Sequence, residues 1–71
     1  AATDIDALSE QIIRKTIDSL TSVLLHTPDN ITALFQRANL YSNLKNYHSA
    51  IEDYNHIINL KPDFGPAYLN R

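Results

Sequence analysis

Two stretches of this chain share one pattern at a distance of 34 residues, and this repeat constrains the fold more than any other feature. Placing residues 12–37 over residues 46–71 (46 − 12 = 34) gives five identities: Ile17/Ile51, Pro28/Pro62, Asp29/Asp63, Ala33/Ala67 and Arg37/Arg71. Repeats of about 20–50 residues are typical of stacked units, each of which buries its apolar face against its neighbour. The chain is therefore predicted to be built from such units.

Apolar residues recur at steps of three and four along most of the chain, which is the period of an amphipathic α-helix. The first stripe predicts a helix over residues 4–26, continuous or bent partway, with Thr3 or Asp4 as its N-cap. Pro28 closes this helix because a proline disfavours helical geometry in the residue before it. The apolar residues of the stripe are Ile5, Leu8, Ile12, Ile13, Ile17, Leu20, Val23 and Leu24.

Three further helices are predicted, and short turns separate them. The second begins after a cap at Asp29 or Asn30 and ends near Leu44, with a stripe formed by Leu34, Ala38 and Tyr41 and flanked by Ile31 and Phe35. The third begins after Asn46 and ends before Pro62, with a predicted buried side of Tyr47, Ala50, Ile51, Tyr54, Ile57, Ile58 and Leu60. The fourth has Pro66 in its first turn. Helices joined by such short turns lie antiparallel, so the predicted fold class is all-α.

Residues 31–64 resemble one complete tetratricopeptide repeat, a helix-turn-helix unit of 34 residues. The positions that carry the resemblance are Leu34, Ala38, Tyr41, Ala50, Tyr54 and Pro62. By the same resemblance, residues 1–30 hold a helix of a degenerate preceding unit, with Thr16 where Ala is expected, and residues 65–71 begin the next unit. Three residues depart from the family pattern: Arg37 replaces a Leu, Lys45 a turn Gly, and Ile57 an Ala, which is expected to widen the contact between units.

The resemblance implies a right-handed α-α superhelix and a module that binds a peptide or helix of a partner protein in its concave groove. The concave-face positions carried over to this sequence are Thr32, Phe35, Gln36, Asn39, Ser42, Asn43, Leu69 and Asn70. Carboxamides there would hydrogen-bond a peptide backbone, while Phe35 and Leu69 would supply apolar contact. The Lys and Arg of the carboxylate clamp found in some members are missing at these positions.

Composition excludes several other classes of function. The net charge is −2 and the six basic residues are scattered, which disfavours nucleic acid as a partner. The longest apolar run, Val23-Leu24-Leu25, is too short to cross a membrane, so a soluble chain is expected, with the cytoplasm only slightly favoured as its compartment. There is no cysteine, no glycine-rich phosphate loop and no catalytic motif, so we predict neither an enzyme nor a cofactor.

Three potential metal ligands follow each other at steps of four on the third helix: His48, Glu52 and His56. The two histidines are about 12 Å apart by helix rise, so the three side chains do not converge easily on one ion. The favoured interpretation is a solvated face with His–Glu pairs. The sequence therefore predicts no metal.

The sequence leaves other functions open. Arrays of this kind need about three units for stability, and only one is complete here, so the chain is expected to be a piece of a longer array or to associate with a neighbouring chain. The lack of any Met indicates a processed or excised chain. The rival hypotheses are self-association through exposed end helices, a noncatalytic segment of a larger enzyme, and an RNA-binding pentatricopeptide repeat, whose 35-residue period and basic groove disagree with this sequence.

Overall fold

The computed structural model describes the backbone of residues 2–70 and the side chains of residues 7–67. Within this range the chain forms four helices, α1 (Ala2–His26), α2 (Ile31–Asn43), α3 (Tyr47–Leu60) and α4 (Gly65–Asn70), and no strand. The all-α prediction is confirmed. The first helix is unbroken and begins at Ala2, two residues before the predicted start, so the predicted caps Thr3 and Asp4 lie inside it.

Two asparagines precede α2 and α3, and only one of them acts as a side-chain cap. Asn30 has an extended backbone, and its side-chain oxygen accepts a hydrogen bond of 3.1 Å from the backbone N–H of Ala33. This bond satisfies one of the amide groups that the first turn of a helix leaves unpaired. Asn46 holds the equivalent place before α3 but makes no side-chain cap bond, so the predicted capping role of Asn46 is wrong.

The turn between α2 and α3 depends on a left-handed residue. Lys45 has a φ of 62°, a conformation that costs free energy for any residue with a Cβ atom. The backbone N–H of Lys45 donates to the carbonyl of Ser42, and that of Asn46 donates to the carbonyl of Tyr41, both at 2.9 Å. These bonds hold the tight turn that makes α2 and α3 antiparallel.

The core lies mainly between α2 and α3. Ala38 and Ala50 are buried, and because both side chains are small, the two helices can approach closely where they cross. Leu34, Tyr54 and Ile57 are the largest fully buried side chains and fill the volume around this contact. The predicted stripes of α2 and α3 are thus confirmed at these positions.

Part of the predicted buried side of α3 is exposed instead. Tyr47, Ile51 and Leu60 are 58%, 42% and 38% exposed, so their assignment to the buried side was wrong. Ile51 occupies the repeat position of Ile17, which is only 7% exposed because it lies beside α2. The helix that follows α3 is α4, whose six residues rise about 9 Å, less than half the length of α3. Within the described residues, α4 therefore leaves part of the corresponding face of α3 open.

The apolar stripe predicted on α1 is wider than the surface that packs. Ile17 and Leu24 are buried, and Leu20 is partly buried against the core. Other members of the stripe stay exposed: Leu8 is 60% exposed, Ile12 65% and Val23 43%. The side chain of Ile5 lies outside the described residues. Helix α1 therefore presents an apolar face to solvent next to the face that contacts α2.

Candidate functional site

The six predicted concave-face residues of the complete unit lie together on one side of α2. At 100° per residue they fall within an arc of about 120°, away from the buried Leu34 and Ala38. Thr32, Gln36 and Asn43 are exposed, whereas Phe35, Asn39 and Ser42 are half-buried. The other two predicted residues, Leu69 and Asn70, lie outside the described side chains.

A groove of about 390 Å³ runs between α1 and α2 next to this face. It is lined by Thr16, Leu20, Gln36, Asn39 and Leu40. The carboxamides of Gln36 and Asn39 were predicted for the site, whereas the apolar lining from Leu20 and Leu40 and the contribution of Thr16 were missed. The signal for Thr16 and Leu20 was present in the sequence, because both lie on the α1 side that faces the complete unit. The groove combines an apolar wall with two amide groups.

Phe35 packs mainly against the core, so only part of its side chain is available to contact a partner. Its ring centroid lies 6.1 Å from that of Tyr54 with an interplanar angle of 62°, an edge-to-face arrangement. The ring of Phe64, just before α4, lies 5.4 Å away with an angle of 34°. Such aromatic pairs add about 0.5–1.5 kcal/mol beyond the area that they bury. Phe35 thus joins α2 to α3 and to the start of α4.

The side chain of Asn39 is held in place by a hydrogen bond from the core. The hydroxyl of Tyr54 donates a hydrogen bond to the side-chain oxygen of Asn39, and the body of Tyr54 is almost completely buried. A buried tyrosine hydroxyl normally finds a partner, because leaving it unpaired costs about 1–3 kcal/mol. The orientation of one carboxamide in the groove is therefore set by the core, without any ligand.

Arg37 joins the first three helices. Its Nε and Nη2 donate to the two carboxylate oxygens of Asp53 at 2.7 Å each, and its Nη1 donates to Oγ1 of Thr21 at 3.2 Å. The guanidinium carbon lies 5.7 Å from the centre of the Tyr41 ring, within the range of a cation–π contact. The hydrogen bonds that Arg37 donates to the Asp53 carboxylate raise the pKa of Arg37 above its ordinary value, although burial acts in the opposite direction.

The sequence showed Arg37 as a repeat identity and as a departure from the family pattern, and no partner was predicted for it. Its partner Asp53 is just 5% exposed, an unusual position for a carboxylate unless it is paired. The signal for a structural role was the identity Arg37/Arg71 at the repeat offset. Nothing in the local sequence indicates which carboxylate, 16 positions away, would pair with it.

The small and aromatic residues buried in the α2–α3 hairpin follow the pattern of a known family, and comparison with family models identifies that family. The model described as Tetratricopeptide repeat matches residues 31–64. These residues form a tetratricopeptide repeat. No curated protein and no solved structure matches the chain.

The tetratricopeptide repeat accommodates its unusual residues inside the hairpin. Ile57, where Ala is frequent, is fully buried among the core side chains, and Arg37 replaces an apolar contact by the ion pair with Asp53. Lys45 adopts the left-handed backbone that a turn glycine would adopt at lower cost. The departures change what holds the helices together and preserve the helix-turn-helix unit.

The histidines of α3 divide between two partners. His48 Nε2 lies 2.9 Å from Oε1 of Glu52, and both side chains are largely exposed, as predicted for a solvated pair. His56 instead faces Asp29 in the turn before α2, with 3.6 Å between Nε2 and Oδ1, so its predicted pairing with Glu52 was wrong. Among the described residues, no three His, Cys, Asp or Glu side chains are grouped to hold a metal ion.

In the part of the chain that the structure describes, no helix has both the length and the apolar character needed to cross a membrane.

Proposed function

We propose that this chain is a protein-interaction module whose groove between α1 and α2 binds a segment of a partner protein. Tetratricopeptide repeats generally mediate protein–protein interaction and are typically noncatalytic. The observation that carries the proposal is the groove itself, in which the apolar side chains Leu20 and Leu40 lie beside the amides of Gln36 and Asn39. We assign a binding role, and no catalytic role, to the described side chains of this face.

The chemistry of the groove favours an extended segment with an aliphatic side chain. A carboxamide both donates and accepts hydrogen bonds, so it can pair with a peptide backbone of any sequence. The apolar wall formed by Leu20 and Leu40 provides room for one apolar side chain of the partner, and apolar burial of that kind contributes about 1.5–3 kcal/mol. Among the described residues no lysine or arginine lines the groove, so a terminal carboxylate is not the favoured ligand.

The flanking helices complete this proposal. We place residues 1–30 as a helix of a preceding unit and residues 65–71 as the beginning of a following one, around the complete unit at 31–64. In support, α1 packs on α2 and α4 packs on α3, each as a neighbouring element in a row. The exposed Thr32 and Asn43 extend the polar face beyond the groove along α2.

The test is selection of ligands followed by a charge-adding double variant. The 71-residue chain would be used to select binders from a phage library of random 12-residue peptides, and affinities would be measured by fluorescence anisotropy. Introducing Gln36→Arg with Thr32→Arg changes two exposed positions of α2, and we expect affinity to fall at least about tenfold. Both sites are exposed, so helicity should stay the same.

A matched control adds the same charge elsewhere. His48→Arg with Asn59→Arg alters two exposed positions of α3, away from the groove, and should leave peptide affinity unchanged. Equal affinities for the wild type and the Gln36/Thr32 variant would refute the groove as the binding site. The proposal would also be refuted if none of the selected peptides competed with another for binding to the chain.

A further inference from the structure

We propose that a second groove, between α1 and α3, binds a basic amphipathic helix of a partner protein. This groove, here called the α1–α3 cleft, has α1 and α3 as its walls and α2 as its floor, and it lies on a different side of α2 from the α1–α2 groove. Two hollows open into it, here called the Asp18 hollow and the Leu25 hollow. The first, of about 310 Å³, is lined in part by Asp18, Tyr41 and Leu44, and the second, of about 240 Å³, by Leu25, Leu34 and His56.

The cleft has the width of one helix. Helix α1 packs on the arc of α2 that holds Leu40 and Leu44, and α3 packs on the arc that holds Leu34 and Ala38. At 100° per residue the centres of these arcs are about 120° apart. With about 8–10 Å between packed helix axes, the axes of α1 and α3 are about 14–17 Å apart, so a further helix fits between them at ordinary packing distance. Both walls and the floor belong to the described chain, so the shape of the cleft depends on no element outside it.

The distance between the two hollows matches two turns of a helix. Asp18 and Leu25 lie seven positions apart on α1 (25 − 18 = 7), and Tyr41 and Leu34 lie seven apart on α2 (41 − 34 = 7). Seven residues rise about 10.5 Å, so a partner helix along the cleft would place residues i and i+7 over the two hollows, on nearly the same face. A β-strand covers that distance in three residues, and its side chains at i and i+3 point to opposite faces. The spacing therefore favours a helix over a strand.

The floor between the hollows restricts the partner further. Arg37 crosses it there, with Nη1 donating to Oγ1 of Thr21 on α1 at 3.2 Å, so the partner residues between i and i+7 that face the floor need to be small. A polyproline II segment also repeats its face, every three residues and about 9 Å, but such segments dock on exposed aromatic rings. The ring of Tyr41 already has the Arg37 guanidinium over its face, 5.7 Å from its centre. The cleft thus lacks the surface that a polyproline II segment uses.

The charges around the cleft favour a basic partner. The two arginines in its lining are already neutralised, Arg37 by Asp53 at 2.7 Å and Arg14 by Glu10 at 2.8 Å. Among the described residues, three exposed carboxylates of the cleft and its rim have no lysine or arginine partner: Asp18 on α1, Asp29 in the turn before α2, and Glu52 on α3, one turn before His56. With histidines neutral at pH 7, the cleft is therefore acidic. A lysine of the partner at the Asp18 hollow and a leucine at the Leu25 hollow complement it.

A designed helix tests the proposal by fluorescence anisotropy with the 71-residue chain. The probe is a labelled, hydrocarbon-stapled peptide of about 16 residues, with Leu and Lys seven positions apart, Ala between them on that face and Gln elsewhere, made in both orders of Leu and Lys. One helix buries an interface at the small end of the range, so we expect a dissociation constant of about 10–100 µM for the better order. Two control peptides should bind at least about fivefold more weakly. One has Glu in place of Lys, and the other has Leu and Lys five positions apart, which places them about 140° apart around the helix.

Variants of the chain locate the bound helix. Asp18→Lys should weaken binding of the Lys peptide at least about fivefold and strengthen binding of the Glu peptide. The matched control is Asp63→Lys, which makes the same change of charge at an exposed position in the turn before α4 and should leave both affinities unchanged. Leu25→Gln removes an apolar side chain that is 77% exposed and should weaken binding about fivefold, whereas Leu8→Gln, at a residue 60% exposed elsewhere on α1, should not. All four positions are exposed, so helicity should stay the same.

The cleft is separate from the α1–α2 groove, so this binding is independent of the proposed function. The Gln36→Arg and Thr32→Arg double variant should bind the probe helix within about twofold of the wild type, and the probe should not displace a peptide selected for the α1–α2 groove. The proposal is overturned by any of four results: no binding of either order at about 1 mM, equal affinity for the seven- and five-position spacings, no effect of Asp18→Lys, or tighter binding of a proline-rich peptide with Leu and Lys three positions apart.

Discussion

The ion pair between Arg37 and Asp53 should behave as a buried pair, and removing one partner should cost far more than removing both. The side chain of Asp53 is only 7% exposed and that of Arg37 is 19% exposed. Arg37→Met leaves a buried carboxylate without its two 2.7 Å hydrogen bonds, for which we expect a loss of about 3–4 kcal/mol in the free energy of unfolding. The longer Met side chain keeps most of the packing.

The opposite single variant should be milder. Asp53→Leu leaves the guanidinium of Arg37 without its carboxylate, but that group keeps Thr21 and the face of Tyr41 and is partly open to water. We expect a loss of about 2 kcal/mol. With both residues replaced, no charge remains buried, and stability should return to within about 1 kcal/mol of the wild type. The double-mutant cycle then gives a coupling of about 4–6 kcal/mol between the two sites.

Urea unfolding followed by circular dichroism measures each corner of the cycle, provided that the m-value stays constant. In a domain of this size a loss of about 3 kcal/mol should lower the melting temperature by at least about 12 °C. Arg14→Met is the control, because the Glu10–Arg14 pair is exposed at both side chains and should contribute less than about 0.5 kcal/mol. Single effects that simply add, or an Arg37→Met variant as stable as the wild type, would refute this account.

Four further substitutions test the local structure, and the shift of the urea midpoint measures the effect of each. Asn30→Ala should destabilise by about 1 kcal/mol because it removes the cap bond to Ala33, whereas Asn46→Ala, which loses no such bond, should change stability by less than about 0.3 kcal/mol. Lys45→Gly should stabilise by about 0.5–1 kcal/mol, because glycine adopts a φ of 62° without the steric cost, and a loss of stability would show that the lysine side chain makes a favourable contact. Tyr54→Phe should cost about 1 kcal/mol by leaving Asn39 without the hydroxyl donor, and a neutral result would mean that water replaces it.

The helices and the hairpin core could be predicted because their signals are local. The small residues Ala38 and Ala50 and the large Leu34 and Tyr54 recur at helical spacing, so their common face is visible in the sequence alone. The start of α2 was equally accessible, since Asn30 has the side chain that a helix N-terminus requires. These elements depend on residues only a few positions apart.

Exposure could not be predicted in the same way, because it depends on which neighbour is present. Ile17 and Ile51 are the same residue at the same repeat position, yet one is 7% and the other 42% exposed. Periodicity indicates that a helix face is apolar, but it does not indicate which element packs on that face. Leu8 and Ile12 on α1 and Tyr47 on α3 belong to predicted apolar stripes, yet no neighbouring helix of the described chain covers them.

The candidate site depends partly on the local sequence and partly on which helices lie side by side. Gln36 and Asn39 were predicted from their places on α2, but the groove exists only because α1 lies beside that helix at a fixed angle. Arg37 helps to fix that angle, since one guanidinium binds Asp53 of α3 and Thr21 of α1 at once. An ion pair that spans 16 positions cannot be read from helical periodicity. The polar interaction that most shapes the groove is thus made by Arg37, one of the three residues at which this repeat departs from the family pattern.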